Sequence, residues 1–253
     1  MSVVAITGGA GRIATAIRPV LREHYQVRLL DVREPASDLA GDDFRNVQIA
    51  NFSDVESALQ GTDAVVHLAA DPSTSASWSS QLGNNIEGTR NVFEAARRGG
   101  ARKIVFASSN HVMGFYNLEG AWPIGTQQEI RPDSLYGVSK AFGEALGRYY
   151  AEAFDMSVIC LRIGWFTDRS PSIGSLNPLW ISPRDIAQIV LLSLQTSRRF
   201  GIYNATSNNP QGHWDLSTAR QELGFAPLDD VTSIATDTQS APYVDPKAGV
   251  LRD

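Results

Sequence analysis

The spacing of apolar and polar positions changes repeatedly along the first two-thirds of this chain. Short runs rich in valine and isoleucine, such as residues 3–7 and 64–70, have the length of buried strands. Between such runs, apolar residues recur every three or four positions, as they do through residues 16–21, which indicates amphipathic helices. This alternation predicts an α/β fold with a doubly wound parallel sheet.

Six strands and four helices are predicted in this part of the chain. The strands are expected at residues 3–7, 26–30, 47–50, 64–70, 103–107 and 157–162, and the helices near residues 16–21, 55–59, 82–98 and 136–153. After Gly164 we expect a loop, a helix near residues 183–194, a strand at 202–205 and a helix near 215–223. The chain then divides into a core over residues 1–164 and a small C-terminal region over residues 165–253 that is integrated with it.

Composition narrows the functional classes. The net charge of −5 and the lack of a basic stripe argue against a nucleic-acid partner. No signal peptide and no apolar run of membrane-spanning length is evident, so we expect no membrane partner and a cytoplasmic location. The lone Cys160 excludes an intrachain disulfide, and no cluster of cysteine and histidine suggests a metal site.

A glycine-rich turn follows the first predicted strand and opens a helix. Such a turn lets the backbone approach a pyrophosphate, which then sits at the positive end of the helix. We therefore expect Gly8, Gly11, Arg12 and Ile13 to bind a dinucleotide. Asp31 ends the second strand about 20 residues beyond the turn, where it can accept hydrogen bonds from a ribose.

The carboxylate of Asp31 would repel a 2′-phosphate, which favours NAD over NADP. Arg33 nearby could accommodate that phosphate and is the one feature that argues for NADP. Other residues fall at the carboxyl ends of predicted strands, where ligands bind in such sheets. They are Leu68, Ala69, Ala70, Ser109, Ile163 and Gly164.

Tyr136 and Lys140 are the candidates for proton transfer. At positions i and i+4 they share one face of a helix, so the ammonium group is expected to lower the pKa of the phenol toward the working range. Ser109, on another element, could hold the hydroxyl that loses its proton. An ordinary amphipathic helix with a core tyrosine and a snorkelling lysine has the same spacing, and only the surrounding motifs favour the catalytic interpretation.

The chain resembles the extended short-chain dehydrogenases/reductases over nearly its whole length. The segments that carry the resemblance are TGGAGRIA, HLAA, NNIEGT, FASSNH, YGVSK and LGFAP. Within that superfamily, KIVFASSNHVMGFY and RPDSLYGVSKAFGEALGRYY are similar to the uronate dehydrogenases and to the related NAD-dependent glucose-6-phosphate dehydrogenases.

The resemblance implies a Rossmann fold with bound NAD and a catalytic set of Ser109, Tyr136 and Lys140, with Asn85 supporting the lysine through a water. It also implies that Lys140 holds the nicotinamide ribose and that Asn110 and His111 contact the sugar. The reaction would be oxidation of the C1 hydroxyl of a free sugar to a lactone, with residues 165–253 helping to bind the substrate. A homodimer through the helices at 82–98 and 136–153 is expected on the same basis.

Several positions depart from the family pattern. Asn51 and Phe52 stand where an aspartate usually accepts from adenine, and an asparagine carbonyl can still accept. Trp165 replaces a small substrate-contacting serine of the uronate dehydrogenases, and it could be a stacking platform or simply fill the pocket. In those enzymes an arginine further along the chain binds the uronate carboxylate, and Ile173-Gly174 falls near its place here. Arg169 is the nearby cation that could replace it.

Ser73 follows Asp71-Pro72 where the glucose-6-phosphate enzymes carry a basic residue, and it is included among the expected substrate contacts. The resemblance to uronate dehydrogenases, with Arg169 as a candidate carboxylate partner, makes a hexuronate the expected substrate. Glucose-6-phosphate and a neutral aldose are the alternatives. A nucleotide-sugar epimerase or dehydratase is a further alternative, although the region after Gly164 is short for one. A non-catalytic NAD sensor is disfavoured because the chain keeps the Tyr-Lys pair. His67 is expected to be a core residue, and His24 and His213 are left unassigned.

Overall fold

The central sheet has seven parallel strands in the order β3-β2-β1-β4-β5-β6-β9. The structure, a computed structural model, describes residues 1–36, 39–167, 178–210 and 212–234. The strands of the sheet are β1 (Val3–Thr7), β2 (Gln26–Asp31), β3 (Asp43–Asn46), β4 (Ala64–His67), β5 (Lys103–Ser109), β6 (Ser157–Ile163) and β9 (Phe200–Ala205). A separate two-stranded sheet pairs β7 (Trp165–Phe166) with β8 (Trp180–Ile181).

Helices cover both faces of the large sheet. They are α1 (Arg12–Arg22), α2 (Phe52–Leu59), α3 (Trp78–Ser80), α4 (Gly88–Arg98), α5 (Gly114–Glu119), α6 (Leu135–Phe154), α7 (Pro183–Gln195), α8 (Ser217–Leu223) and α9 (Val231–Ile234). A π-helical segment, Gln81–Glu87, joins α3 to α4.

The central strands β1, β4, β5 and β6 are buried on both sides, which is why their sequences are largely apolar rather than alternating. One core cluster packs α1 and α7 against the sheet and includes Ile17, Leu21 and Ile189. The other packs α2, α4 and α6 against the opposite face and includes Val55 and Phe93. The predicted doubly wound Rossmann architecture is thereby confirmed.

The prediction of a third strand at residues 47–50 was wrong. The strand that pairs with β2 on the side away from β1 is β3, which begins four residues earlier than predicted, although its own pattern is largely polar and part-exposed. Val47 and Ile49 are buried beyond the end of this strand, with 4% and 7% of their surface exposed. Their burial produces a strand-like apolar pattern in a segment that passes over the carboxyl edge of the sheet.

Three other element boundaries differ from expectation. The helix predicted at residues 82–98 is preceded by α3 and begins with the π-helical segment, and α8 starts at Ser217 rather than Asp215. The fourth strand ends at His67, so Leu68, Ala69 and Ala70 form a loop. The short helix α5 was not predicted.

The C-terminal region shares the main sheet, because β9 pairs in parallel with β6. Helix α7 packs on α1 within the same core cluster. The division at residue 164 stays a prediction, as does the homodimer. Val138 and Tyr149 on α6 are exposed in the single chain, with 42% and 56% of their surface accessible. Within the described ranges, no helix combines the length and apolar character needed to cross a membrane.

Candidate active site

A cavity of about 1600 Å³ opens at the carboxyl ends of β1, β2, β4, β5 and β6. This is the edge at which ligands bind in open parallel sheets. Most residues predicted from the sequence to form the site line this cavity. They are Gly8, Gly11, Arg12, Ile13, Asp31, Leu68, Ala69, Ala70, Ser109, Asn110, His111, Tyr136, Lys140, Ile163 and Trp165.

The turn after β1 requires glycine for two physical reasons. Gly8 has a φ of +70°, in the left-handed region that side chains disfavour. A Cβ atom at Gly8 would also lie 2.9 Å from the backbone nitrogen of Ala69. The backbone N–H of Gly11 donates to the carbonyl oxygen of Gly8 at 2.9 Å, which closes the turn. The two loops can therefore approach a ligand closely from both sides.

The N-terminus of α1 points its unpaired N–H groups toward this end of the cavity. Its N-cap residue, Gly11, has no side chain that could satisfy them, and Arg12 and Ile13 in the first turn line the cavity. A helix N-terminus of this kind carries a partial positive charge and binds phosphate groups. The site therefore fits the pyrophosphate of a dinucleotide.

Asp31 is the last residue of β2, and both oxygens of its carboxylate accept hydrogen bonds. Oδ2 accepts a hydrogen bond from the backbone N–H of Ala10, and Oδ1 accepts one from that of Arg33, each at 3.0 Å. These bonds hold a negative charge at the edge of the cavity, next to the glycine turn. This position suits an acceptor for the ribose hydroxyls of NAD.

Asn51 and Phe52 are not among the residues that line the cavity, and their expected contact with adenine stays a prediction. The Oδ1 atom of Asn51 accepts hydrogen bonds from the backbone N–H and the hydroxyl of Ser53 and so caps α2. The Phe52 ring lies near the guanidinium groups of Arg90 and Arg98. The preceding segment, Val47 to Ile49, lines the cavity instead.

Tyr136 and Lys140 occupy successive turns of α6. Ser134 caps the helix by accepting from the backbone N–H of Gly137 at 3.1 Å. The ammonium group of Lys140 donates to the carbonyl oxygen of Ala107 at 2.8 Å and lies 5.5 Å from the centre of the Tyr136 ring. The structure thus brings both residues to the end of β5, where Ser109 stands.

The expected lowering of the tyrosine pKa by the lysine was wrong. Burial raises the pKa of Tyr136 to about 12, although a hydrogen bond from Ser109 lowers it in part. Burial also lowers the pKa of Lys140 to about 7. Desolvation outweighs the attraction between the two groups because both charged forms lose water. Around neutral pH the phenol is therefore protonated.

Asn85 lies behind the site rather than in the cavity. Its side chain accepts from the backbone N–H of Asp71 at 2.8 Å and donates to the Asp71 carbonyl and to the hydroxyl of Ser139. These bonds tie the loop after β4 to α6. The water-mediated support of Lys140 stays a prediction.

Asn110 and His111 extend the site beyond the end of β5. The Nδ1 atom of His111 lies 2.9 Å from each carboxylate oxygen of Asp133, a residue that the sequence analysis did not single out. The Trp165 side chain is 37% exposed and lines the same part of the cavity. Asp71 and Thr74 line the same cavity, and the part around these residues, Asn110, His111 and Trp165 is called the sugar end because the family resemblance implies sugar contacts at Asn110 and His111.

One expected substrate contact, Ser73, is not found among the described residues that line the cavity. Ser73 is exposed and does not line the cavity, and its neighbours Pro72 and Thr74 do. Its hydroxyl is hydrogen-bonded to that of Ser75 at 3.0 Å. Arg169 and the Ile173-Gly174 pair lie outside the described residues.

An aromatic stack that was not predicted from the sequence also lines the cavity. The rings of Trp122 and His213 are parallel, with centres 3.4 Å apart, and burial lowers the pKa of His213. They meet because Ile124 and Trp214 form an isolated parallel bridge. No local pattern marks this pair, because its members are far apart in the chain.

His67 is a core residue, as predicted. Its ring nitrogens lie 2.7 Å and 3.1 Å from the hydroxyls of Thr7 and Thr89. Burial, with the nearby charge of Lys140, lowers the pKa of His67 to about 3, so the ring is neutral.

Comparison with known proteins places this geometry in context. A family model described as the NAD dependent epimerase/dehydratase family matches residues 4–166. An NAD-dependent glucose-6-phosphate dehydrogenase of Haloferax volcanii is 38% identical over 245 residues, covering 90% of this chain and 93% of the relative. An L-arabinose 1-dehydrogenase (NAD(P)(+)) of the same organism is 33% identical, covering 92% and 99%.

A solved structure supports the same likeness. The uronate dehydrogenase of Agrobacterium tumefaciens, as a mutant complexed with NAD, superposes with a TM-score of 0.84 at 31% identity. The match covers 96% of this chain and 91% of that chain.

Proposed function

This chain belongs to the NAD dependent epimerase/dehydratase family, and we propose that it oxidises the C1 hydroxyl of a free hexuronate, such as glucuronate or galacturonate, to a lactone. The resemblance to extended short-chain dehydrogenases/reductases is confirmed, and with it NAD as the cofactor. The protein is an NAD-dependent sugar dehydrogenase. The identity of the sugar is the part that we propose.

The observation that carries the proposal is the meeting of Ser109, Tyr136 and Lys140 beside a sugar end with hydrogen-bonding side chains. Bound NAD supplies the hydride acceptor. Ser109 orients the C1 hydroxyl, and the phenolate form of Tyr136, reached once the phenol has lost its own proton, takes the hydroxyl proton as C1 is oxidised. Asn110 and His111 hold other hydroxyls of the ring.

The hexuronate proposal depends on a cation for the substrate carboxylate. Among the described residues that line the cavity, the arginine and lysine side chains are Arg12, Arg33 and Lys140. The first two lie at the cofactor end. Arg169 is therefore the group that we propose for the carboxylate clamp, because a guanidinium binds a carboxylate with two parallel hydrogen bonds.

A neutral aldose is the second candidate. The sugar end contains the carboxylates of Asp71 and Asp133, which would repel an anionic substituent placed beside them. Carboxylates readily accept hydrogen bonds from sugar hydroxyls, and the relative named as an L-arabinose dehydrogenase acts on a neutral sugar. The basic residue that follows Asp-Pro in the glucose-6-phosphate enzymes is replaced by Ser73 after Asp71-Pro72, which disfavours glucose-6-phosphate as the substrate.

A screen of NAD reduction tests these alternatives. The sugars are glucuronate, galacturonate, glucose-6-phosphate, L-arabinose and glucose, with a nucleotide sugar in parallel. We expect the highest kcat/KM with a hexuronate and a loss of about tenfold or more in Arg169→Ala. Arg148→Ala, which removes an exposed guanidinium from α6, is the matched control and should leave kcat/KM unchanged.

Each outcome of the screen decides between the candidates. Oxidation of neutral sugars alone would reject the hexuronate and support the second candidate. Conversion of the nucleotide sugar without net formation of NADH would identify an epimerase and overturn both.

A further inference from the structure

The imidazole of His111 is held by a carboxylate from a different segment of the chain. We propose that Asp133 is a positioning residue, which fixes His111 with its proton on Nδ1 so that Nε2 accepts a hydrogen bond from a sugar hydroxyl. This inference rests on the proposed function, since it assigns a polyhydroxylated substrate to the cavity. Nδ1 lies 2.9 Å from both Asp133 oxygens, and the two side chains are 30% and 8% exposed.

Asp133 is itself firmly anchored. The Ser134 hydroxyl donates to Asp133 Oδ1 at 2.9 Å, and the backbone N–H of Asp133 donates to the carbonyl oxygen of His111 at 3.3 Å. Ser134 also caps α6, the helix that carries Tyr136. The short segment around Ser134 therefore positions both the catalytic tyrosine and the dyad of His111 and Asp133.

Two glycines leave the space that the dyad needs. A Cβ atom at Gly114 would lie 1.9 Å from Asp133 Oδ2, and one at Gly137 would lie 2.3 Å from the carbonyl oxygen of His111. Backbone and carboxylate atoms this close could not adjust without moving the dyad.

The tautomer follows from the partners of the ring. An ionised carboxylate has no proton to donate, so Nδ1 must be the donor in this pair. The His111 ring packs edge-on against Tyr136, with centres 5.7 Å apart at 70°. No hydrogen bond from the described residues reaches Nε2, and the side chain lines the cavity. In the neutral ring this atom carries the lone pair.

This arrangement determines what the position can recognise. With its one proton on Nδ1, the ring accepts a hydrogen bond from a hydroxyl group at Nε2. His111 therefore selects a hydroxyl-bearing carbon of the sugar, and a carboxylate or phosphate on the substrate must bind elsewhere. A site built to bond a hydroxyl discriminates strongly against an analogue that lacks it.

The tautomer can be measured directly by 15N NMR of the histidine rings. The chain has four histidines, and His111→Gln identifies the relevant signals. At neutral pH we expect Nδ1 to be protonated and Nε2 to be bare in the wild-type protein. Asp133→Asn can donate its amide to Nδ1, so the proton should move to Nε2 in that variant. A wild-type ring protonated on Nε2, alone or on both nitrogens, would overturn the proposal.

Kinetics on the best sugar of the screen provide the second test. We expect Asp133→Asn to lower kcat/KM by about 10-fold to 100-fold with the affinity for NAD unchanged. In a His111→Gln background the same change should cost nothing further, because Asp133 acts through the ring. Additive losses would show that Asp133 acts by another route and would reject the proposal.

Glu119→Gln is the matched control. Glu119, at the end of α5, pairs with Arg131, which lies two residues before Asp133. This change therefore removes a carboxylate that pairs with the Asp133 segment without touching His111. It should leave both the NMR signals and kcat/KM unchanged. If no free sugar is oxidised, the proposed function fails while the NMR experiment still decides the tautomer.

Discussion

The ammonium group of Lys140 lies 5.5 Å from the centre of the Tyr136 ring, but its hydrogen bond goes to the carbonyl oxygen of Ala107. The charged forms of both side chains are penalised by burial, which sets the pKa of Tyr136 at about 12 and that of Lys140 at about 7. The pair therefore favours a protonated phenol and a lysine that titrates near neutrality.

Replacement of Tyr136 by phenylalanine should abolish most turnover. The variant keeps the ring but removes the oxygen that takes the proton, and proton transfer of this kind contributes about 10²-fold to 10⁴-fold. We expect kcat to fall within that range while the affinity for NAD, measured by calorimetry, stays the same.

Tyr149→Phe is the control for this change, because Tyr149 is an exposed tyrosine on the same helix. It should retain full activity. Near wild-type turnover in Tyr136→Phe would exclude the tyrosine as the base and would favour a non-catalytic role for the NAD site.

Burial of Lys140 should produce a pH-dependent difference in stability between the wild-type protein and Lys140→Met. The pKa of Lys140 falls from its usual 10.5 to about 7 on folding, so between these values the unfolded chain binds more protons. The cost of burying the ammonium group is fully present below about pH 7 and is relieved as the pH rises toward 10.5.

Urea unfolding of both cofactor-free proteins measures this effect. The free energy of unfolding of the wild-type protein, relative to that of Lys140→Met, should rise with pH above 7 and be flat below it. A difference that does not change with pH would mean that Lys140 titrates alike in the folded and unfolded states.

Removal of the Asp31 charge should increase the use of NADP. Asp31→Asn keeps an oxygen that can accept from Ala10 and removes the charge that repels a 2′-phosphate. We expect the ratio of kcat/KM for NADP to that for NAD to rise about tenfold or more, because charges a few ångströms apart interact by more than 1 kcal/mol near a protein surface. Steady-state kinetics with both cofactors measure the ratio.

Glu34→Gln removes an exposed charge three residues beyond Asp31 and serves as the control. It should leave the cofactor preference unchanged. An equal shift in both variants would indicate that overall charge, rather than the position of Asp31, sets the preference.

The buried ion pair of Glu144 and Arg162 should be sensitive to the loss of one partner. Two hydrogen bonds of 2.8 Å join them, and Ser108 also donates to Glu144 at 2.6 Å. The pair joins α6 to β6, next to the strand that carries Ser109. Glu144→Gln leaves a buried guanidinium without its counter-charge, so the free energy of unfolding should fall by about 3–5 kcal/mol.

Replacement of both partners provides the comparison. Glu144→Leu combined with Arg162→Met removes both charges, and the double variant should be more stable than Glu144→Gln in the same urea titration. A double variant that is less stable than the single one would show that the ion pair itself contributes net stability.

The cofactor end could be predicted from the sequence because its parts are local. Gly8, Gly11 and the first turn of α1 are consecutive, and Asp31 ends the next strand along the chain. Strand, turn and helix periods specify this unit before any distant contact forms. The strand ends that meet there were predictable for the same reason, since all strands of a parallel sheet present their carboxyl ends at one edge.

The position of the third strand was predicted wrongly because the residues that are buried there are not the residues that pair with β2. Val47 and Ile49 are apolar because they cover the sheet edge, whereas the polar Asp43–Asn46 segment takes its strand conformation from pairing with β2. Pairing with a distant segment is a tertiary contact, and an edge strand needs little apolar sequence of its own.

The sequence by itself determined that this protein has a parallel α/β sheet, a dinucleotide site and a Ser-Tyr-Lys set. Each of these features depends on short spacings within one or two elements. Only the tertiary structure decided that Asp133 holds His111, and that burial opposes the ionisation of both Tyr136 and Lys140. Contacts between distant segments and the loss of solvent around a charge exist only once the chain has packed.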